Sequence, residues 1–253
     1  MTGAFDVAEA LKGGISDRER AGAFIRGFAA AWGEPLTEGD GMPAAELARA
    51  EARLGFSLPT ALSDVYALVG ARLDLVGNQD PLLPPAEMFV HDDCGGVLVF
   101  RSENQGCAFW GVRLRDLDQD DPPVFVQARH GWVQFLDRVS LACVELVLSE
   151  ALFGAGGRLY NACELPADLL GAVPERFQRV ALPDYPMWTG PEDFPVRWFS
   201  APGQLLRQDG LGVHSWLHVR GRTRADLEAI CATVPGQWAL GHTESLDAEP
   251  LPF

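Results

Sequence analysis

Apolar residues recur at helical spacing near the start of the chain, at Ala21, Phe24, Ile25, Phe28, Ala31 and Trp32. This spacing predicts an amphipathic helix whose apolar stripe faces a core. Residues 16–19, which begin at Ser16 and end at Glu19, have the composition of a capping box and predict where the helix starts. Gly33 and Pro35 predict its end.

Two further helices are predicted close together. The first has a buried stripe at Leu47, Ala50 and Leu54 and ends at Gly55, a typical left-handed stop. After a short link through Leu58, Pro59 opens the next helix, which runs to Val69. Its inward residues are predicted to be Leu62, Val65, Tyr66 and Val69.

The middle of the chain changes to strand-like patterns. Residues 71–95 contain glycines and prolines that interrupt any helical or strand period, and they are predicted to form an irregular surface loop over a sheet edge. Strands are predicted at residues 96–100, 107–112, 124–127 and 132–135, with a turn at 103–106. Ser140 then caps an apolar helix that Gly154 ends. Helices, an antiparallel meander and a closing helix together indicate an α+β fold.

A second group of elements is predicted after about residue 160. Strands at 196–199, 204–207 and 213–219 precede a helix that Thr223 caps. We therefore expect an N-terminal helix and linker at residues 1–42, a core domain at 43–160, and a β-hairpin and helix extension at 161–253 packed on the core. The extension could either lengthen the first sheet or stand beside it.

Two segments about fifty residues apart, 51–66 and 104–111, with 121–124 behind the second, resemble the SUKH superfamily. This superfamily includes bacterial toxin-immunity proteins and a yeast cell-wall assembly regulator. The matching fold-signature residues are Leu54, Gly55, Leu58, Pro59, Asn104, Gly106, Trp110 and Gly111. The resemblance is good over residues 43–153 and weak beyond them.

The resemblance implies a SUKH-like fold and a non-enzymatic immunity protein that neutralises a cognate bacterial toxin, often a basic nuclease, by stoichiometric binding. The alternatives are a regulatory scaffold of the cell-wall regulator type and a small-molecule-binding domain with a cleft between sheet and helices. From the residues themselves, Gly106 fits a backbone with positive φ and Asn104 fits a turn-stabilising role. Phe109 and Trp110 alternate, so one of them faces the core and the other could meet a groove.

The charge of the chain limits its partners. Its net charge is −15, which argues against nucleic acid, because binding to phosphates needs basic patches. Residues 36–127 hold fifteen acidic and six basic residues. Such an excess suits a basic protein partner, although acidity for solubility alone explains it equally simply.

Several patterns predict the cellular setting. The sequence has no apolar run of membrane-spanning length and no signal-peptide pattern. Its five cysteines form no Cys-x-x-Cys pair and are predicted to be reduced thiols of the core. These features favour a cytoplasmic protein without membrane contact.

No motif predicts catalysis, a cofactor or a metal. His214 and His218 lie on a predicted strand and are too far apart for one ion. The acids of residues 116–121 lack the glycine and glutamate of a calcium loop, which leaves a solvated turn or a charged contact surface. Residues 91–94 combine His and Cys without a second cluster. The predicted partner-binding residues are Asp92, Asp93, Glu103, Trp110, Asp116, Asp118, Asp120 and Asp121.

Overall fold

The computed structural model describes residues 5–190, 195–212 and 215–239, and it has an α+β fold as predicted. The helices are α1 (Val7–Ala10), α2 (Arg18–Trp32), α3 (Ala44–Leu54), α4 (Thr60–Val69), α5 (Leu73–Val76), α6 (Val139–Phe153), α7 (Gly156–Leu159), α8 (Ala172–Arg176) and α9 (Arg224–Thr233). The strands are β1 (Phe89–His91), β2 (Val97–Ser102), β3 (Phe109–Arg113), β4 (Val124–Ala128), β5 (Gly131–Leu136), β6 (Tyr160–Leu165), β7 (Gln178–Arg179), β8 (Tyr185–Pro186), β9 (Pro195–Ala201), β10 (Gln204–Asp209), β11 (Ser215–Gly221) and β12 (Gln237–Trp238).

The first sheet is an antiparallel meander with the strand order β1-β2-β3-β4-β5 in the part of the chain described. Four of its strands match the predicted positions within a few residues. A register shift between Val99 and Arg101 on β2 is a β-bulge. Because the bulge adds one residue to β2, both Phe100 and Arg101 are directed into the protein, where each is 2% exposed.

The prediction of an irregular surface loop at residues 71–95 is wrong in part. This segment contains α5 and the edge strand β1, and α5 packs against α6. Leu75, Val76 and Asp80 are buried. The prolines and glycines of the segment separate short elements that are each too short to show a hydrophobic period.

The second sheet has the order β12-β6-β11-β10-β9-β7 over the described residues, with β8 paired to β9. The C-terminal strands therefore form a sheet of their own instead of extending the first. Strand β6, which the sequence did not predict, lies between β11 and β12. The predicted strand 213–219 is seen from Ser215 onward, and Val213 and His214 lie outside the described residues.

Helix α6 is central to the molecule. It packs against α2, α4 and α5, against β5 of the first sheet and against β11 of the second. Every residue from 139 to 152 is buried, including Glu145, Ser149 and Glu150. A helix that is buried on all sides has no solvent face, so its polar side chains must find partners inside the protein.

Several fold-signature residues are explained by the backbone geometry that their positions require. Gly55 ends α3 with a φ of 85°, and Pro59 stands at the N-cap of α4, as predicted. Gly106 has a φ of 72° in the turn between β2 and β3. Gly111 on β3 is needed for space, because a Cβ there would lie 2.4 Å from the carbonyl oxygen of Leu98.

Two predicted helix caps are wrong by one and two sequence positions. Asp17, not Ser16, is the N-cap of α2, and its carboxylate accepts the amide of Arg20. Ser140 lies inside α6, whose N-cap is Arg138. Ser and Asp are both strong capping residues, so the sequence pattern alone does not decide between the adjacent positions 16 and 17. At α6 the capping carboxylate comes from another part of the chain, since Asp121 accepts the amide of Ser140 at 2.9 Å.

Among the described residues, no helix is both long enough and apolar enough to span a membrane. All five cysteines are free, but only Cys143, Cys163 and Cys231 are buried. Cys94 and Cys107 are exposed, which corrects the prediction that all five belong to the core.

Candidate functional site

One face of the first sheet points away from α6 and carries a layer of aromatic side chains. Alternation along the strands directs every second residue to this side. We call the following residues the outer layer: Phe89, His91, Val97, Val99, Phe109, Arg113, Phe125, Gln127 and Trp132.

The rings of the outer layer pack edge to face. The centroids of Phe89 and Phe109 are 5.3 Å apart in a T-shaped pair, and those of His91 and Trp132 are 5.6 Å apart in another. The guanidinium of Arg113 lies 3.8 Å from the ring centroid of Phe125. Such pairs add specific attraction to simple apolar burial.

The accessible part of this face is small and well defined. Val97, Val99, Phe125 and Trp132 are buried beneath their neighbours. Phe89, His91, Phe109 and Arg113 are half-buried and form the surface. Gln127 holds His91 through a contact of 3.2 Å between Gln127 Nε2 and His91 Nε2. The face therefore presents two phenylalanine rings, an imidazole and a guanidinium to solvent.

Two acidic turns border the outer layer at one end of the sheet. The turn after β1 carries Asp92 and Asp93, and the turn after β3 carries Asp116 and Asp118. The turns are adjacent because the amide of Leu114 donates to the carbonyl of Gly96 at 3.0 Å. Asp92, Asp93 and Asp118 are exposed.

The half-buried Asp116 is partly used within its own turn. Gln119 Nε2 donates to Asp116 Oδ1 at 3.2 Å, and Arg115 Nε lies 3.8 Å from Asp116 Oδ2. The carboxylate of Asp93 lies 3.6 Å from His91 Nδ1. The sequence prediction of an acidic surface thus corresponds best to Asp92, Asp93 and Asp118.

Asp120 and Asp121, which were also predicted to bind a partner, have structural contacts. Thr60 Oγ1 donates to Asp120 Oδ1 at 2.6 Å, and the carbonyl of Asp120 accepts the amide of Ala61 at 2.8 Å. Asp121 accepts both the amide and the hydroxyl of Ser140, at 2.9 and 2.6 Å. These two carboxylates hold the first turns of α4 and α6 against the loop between β3 and β4.

Glu103 and Trp110 are directed into the protein. Glu103 is 8% exposed, and its carboxylate accepts the amides of Gln105 and Cys107 at 2.8 and 3.0 Å. Glu103 therefore performs the turn-stabilising role that the sequence suggested for the exposed Asn104. Trp110 is 4% exposed on the inner face, with the guanidinium of Arg101 4.5 Å from its ring. Phe109 is the residue of this pair that faces outward.

A network of buried polar side chains lies around α6 and was not predicted. Arg101 on β2 donates to Glu145 on α6 at 2.7 Å and to the carbonyl of Asp80 at 3.0 Å. Tyr185 donates its hydroxyl to the other oxygen of Glu145 at 2.8 Å, and Trp198 Nε1 donates to that hydroxyl at 2.8 Å. These bonds connect the first sheet, α6 and the second sheet.

The network continues along the second sheet. Arg207 donates to Asp209 at 2.7 Å and to Ser149 on α6 at 3.0 Å. His218 Nε2 lies 3.5 Å from the carboxylate of Asp209, and His218 Nδ1 is 2.7 Å from the hydroxyl of Tyr160. The polar side chains of this cluster thus bind one another and α6, which is how buried polar groups are usually satisfied.

Burial changes the acid–base properties of the network. It raises the pKa of Asp80 to about 6, although Arg101 and Arg207 act in the opposite direction. It lowers the pKa of His218 to about 4 and raises that of Tyr160 to about 12. In each case the uncharged form is favoured because the charged form loses its hydration.

Metal binding has no support in the described part of the chain, where no group of three or more His, Cys, Asp or Glu side chains could hold an ion. His91 faces Trp132 and Gln127, and Cys94 is an exposed residue with a φ of 57°. His214, one member of the predicted histidine pair, lies outside the described residues.

No protein family model, curated protein or solved structure was found to match this chain. The resemblance to the SUKH superfamily thus stays a prediction that rests on the residues quoted for it.

Proposed function

We propose that this chain is a non-enzymatic, immunity-type binding protein that neutralises a basic toxin by stoichiometric binding. In this proposal it acts in the cytoplasm and uses the exposed side of its first sheet. The observation that carries the proposal is the juxtaposition of two acidic turns with the outer layer. The resemblance to the SUKH superfamily supports the same class of partner.

The acidic turns would guide the encounter. Arg115 is close to Asp116, so Asp92, Asp93 and Asp118 supply the excess negative charge at this end of the sheet. Carboxylates on exposed turns attract lysine and arginine side chains that otherwise bind nucleic-acid phosphates. Complementary charge of this kind mainly raises the association rate and disfavours wrong partners.

The outer layer would hold the complex together. Phe89 and Phe109 are half-buried and already fixed against each other, so ordering them costs little when a partner covers them. Aromatic residues in a desolvated patch usually dominate the affinity of a protein interface. The acidic turns would thus mainly set the association rate, and the outer layer would mainly set the dissociation rate.

The test uses the toxin domain encoded beside the gene of this chain, purified separately. We expect inhibition of the toxin to be complete at a ratio of one to one. Changing Asp92, Asp93 and Asp118 together to Lys should slow association about tenfold or more at low salt. Phe109→Ala should instead accelerate dissociation.

The matched control changes three exposed acids elsewhere, Glu34, Glu38 and Glu228, together to Lys, which gives the same net charge. This control should leave the association rate much closer to that of the unmodified protein. Equal slowing in both triple variants would show that only net charge matters. The absence of a toxin gene beside this one, or a neighbouring toxin that this chain does not inhibit, would refute the immunity function.

A further inference from the structure

A cavity of about 320 Å³, widely open to solvent, lies on the face of the second sheet opposite α6. Its buried lining includes Phe199 on β9 and Gln208 on β10. Leu170, Pro174 and Leu211 supply further apolar lining. Small-molecule sites have volumes of roughly 300–1,000 Å³ and combine apolar walls with a few polar groups. This cavity has the size and the composition of the smaller members of that class.

The polar side of the cavity contains one carboxylate between two guanidinium groups. Asp184 accepts from Arg179 at 2.5 Å through Oδ1 and from Arg197 at 2.7 Å through Oδ2. Three charges of which two are positive leave a local excess of one positive charge. This excess is notable in a chain whose net charge is −15.

The two terminal amino groups of Arg179 are occupied by the protein. Besides Asp184, Arg179 donates to the carbonyls of Trp198, Val180 and Leu182 at 2.8, 3.0 and 3.2 Å. These bonds fix the segment that carries Asp184. Arg179 therefore organises the cavity and has little capacity left for a ligand.

Arg197 differs from Arg179 because the contacts made by the described residues use only its Nε. Its two terminal amino groups carry four N–H donors. One N–H from each group lies in the plane of the guanidinium, and the two oxygens of a carboxylate can accept this pair side by side. The bond to Asp184 restrains the guanidinium before any ligand arrives, which reduces the entropy lost on binding. The side chain is one-third exposed and so reaches the cavity mouth.

Leu211 gives the cavity an apolar edge. It is 39% exposed, and within the described residues it belongs to a small group of large apolar side chains with such exposure. Together with Leu170 and Pro174, it would cover a hydrocarbon chain that leads away from Arg197. We propose that this cavity binds a small carboxylate with an apolar tail, with its carboxylate on Arg197 and its tail against Leu211 and Leu170.

Hexanoate is the probe for this inference, with hexanol and acetate as comparison compounds. Methyl NMR of the full chain should show saturable shifts at Leu170 and Leu211 when hexanoate is added at millimolar concentration. Hexanol lacks the charge and acetate lacks the tail, so each should bind at least tenfold more weakly. Inorganic phosphate should compete no better than acetate.

Arg197→Gln should weaken hexanoate binding at least tenfold. The matched control is Arg224→Gln, which removes the same charge from the surface of α9 and should leave binding unchanged. If Arg197→Gln fails to fold, Arg197→Lys keeps the charge but removes the planar donor pair, and it should bind several-fold more weakly. Equal binding of hexanol, unchanged binding in the arginine variant that folds, or no shift at either leucine would overturn the proposal.

Discussion

Removing the carboxylate of Glu150 is the sharpest test of how this fold is held together. Glu150 is fully buried on α6 and accepts the backbone amides of Asn78, Gln79 and Asp80. The last two bonds are 2.7 and 2.8 Å long. The Glu150 carboxylate thus supplies the acceptors for three consecutive amides of the segment that follows α5, and it binds this segment to α6.

The expected cost follows from which amides can reach water. Asn78 is exposed, so its amide can exchange Glu150 for solvent, whereas Gln79 is half-buried and Asp80 is buried. A buried donor left without a partner costs roughly 1–3 kcal/mol. For two such donors, Glu150→Ala should lower the free energy of unfolding by about 4 kcal/mol. Glu150→Gln keeps one acceptor oxygen but turns an NH₂ group toward the amides, so it should cost about 2 kcal/mol.

Urea denaturation followed by circular dichroism measures these changes, and hydrogen exchange at Gln79 and Asp80 shows where they act. Both amides should lose protection in Glu150→Ala. The control is Glu228→Ala, an exposed carboxylate of α9 paired with Arg224, which should cost less than about 1 kcal/mol. A loss below about 1 kcal/mol for Glu150→Ala, with intact protection at both amides, would refute the reasoning.

Three other outcomes are expected. Asp80 has a pKa raised to about 6, so its ionisation destabilises the fold as pH rises from about 4 to 6. Asp80→Asn should remove this decline in the free energy of unfolding, measured by urea titrations at several pH values, and a decline that persists would contradict the assignment. His218 has a pKa lowered to about 4, so the stability gained from its neutral form is complete above about pH 6.5 and is lost as pH falls toward 4. His218→Gln should flatten this rise of the unfolding free energy with pH in the same titrations, and an unchanged slope would contradict the assignment. Gly111→Ala places a Cβ against strand backbone and should lower the unfolding free energy by about 3 kcal/mol or more. At Gly212 a Cβ meets no atom of the described residues within 4 Å, so Gly212→Ala should be close to neutral in thermal unfolding.

The regular elements with a clear period could be predicted from the sequence. The apolar stripe of α2, the glycine stop at Gly55 and the meander from β2 to β5 all follow from local patterns. Short elements could not be found in the same way. Strand β1 has three residues and α5 has four, so neither is long enough to display a period.

The candidate site was predicted only in part, because the sequence shows the type of each residue but not the direction in which its side chain points. Asp118 and Asp120 look alike in a run of acids, yet one is exposed without a structural bond among those described and the other binds Thr60. The bulge on β2 determines that Arg101 points inward, and no residue pattern marks it. The partners of Glu145 come from strands distant in sequence, so its burial could not be inferred from its own helix.

The position of α6 between the two sheets has a consequence for how the molecule loses its structure. Arg101 and Tyr185 bind different oxygens of the Glu145 carboxylate, and Arg207 binds Ser149 one turn further on. Separating either sheet from the helix would break these buried bonds and expose the apolar residues of α6 around them. Partial opening is therefore costly at both surfaces of the helix, and the two sheets are expected to melt as one cooperative unit.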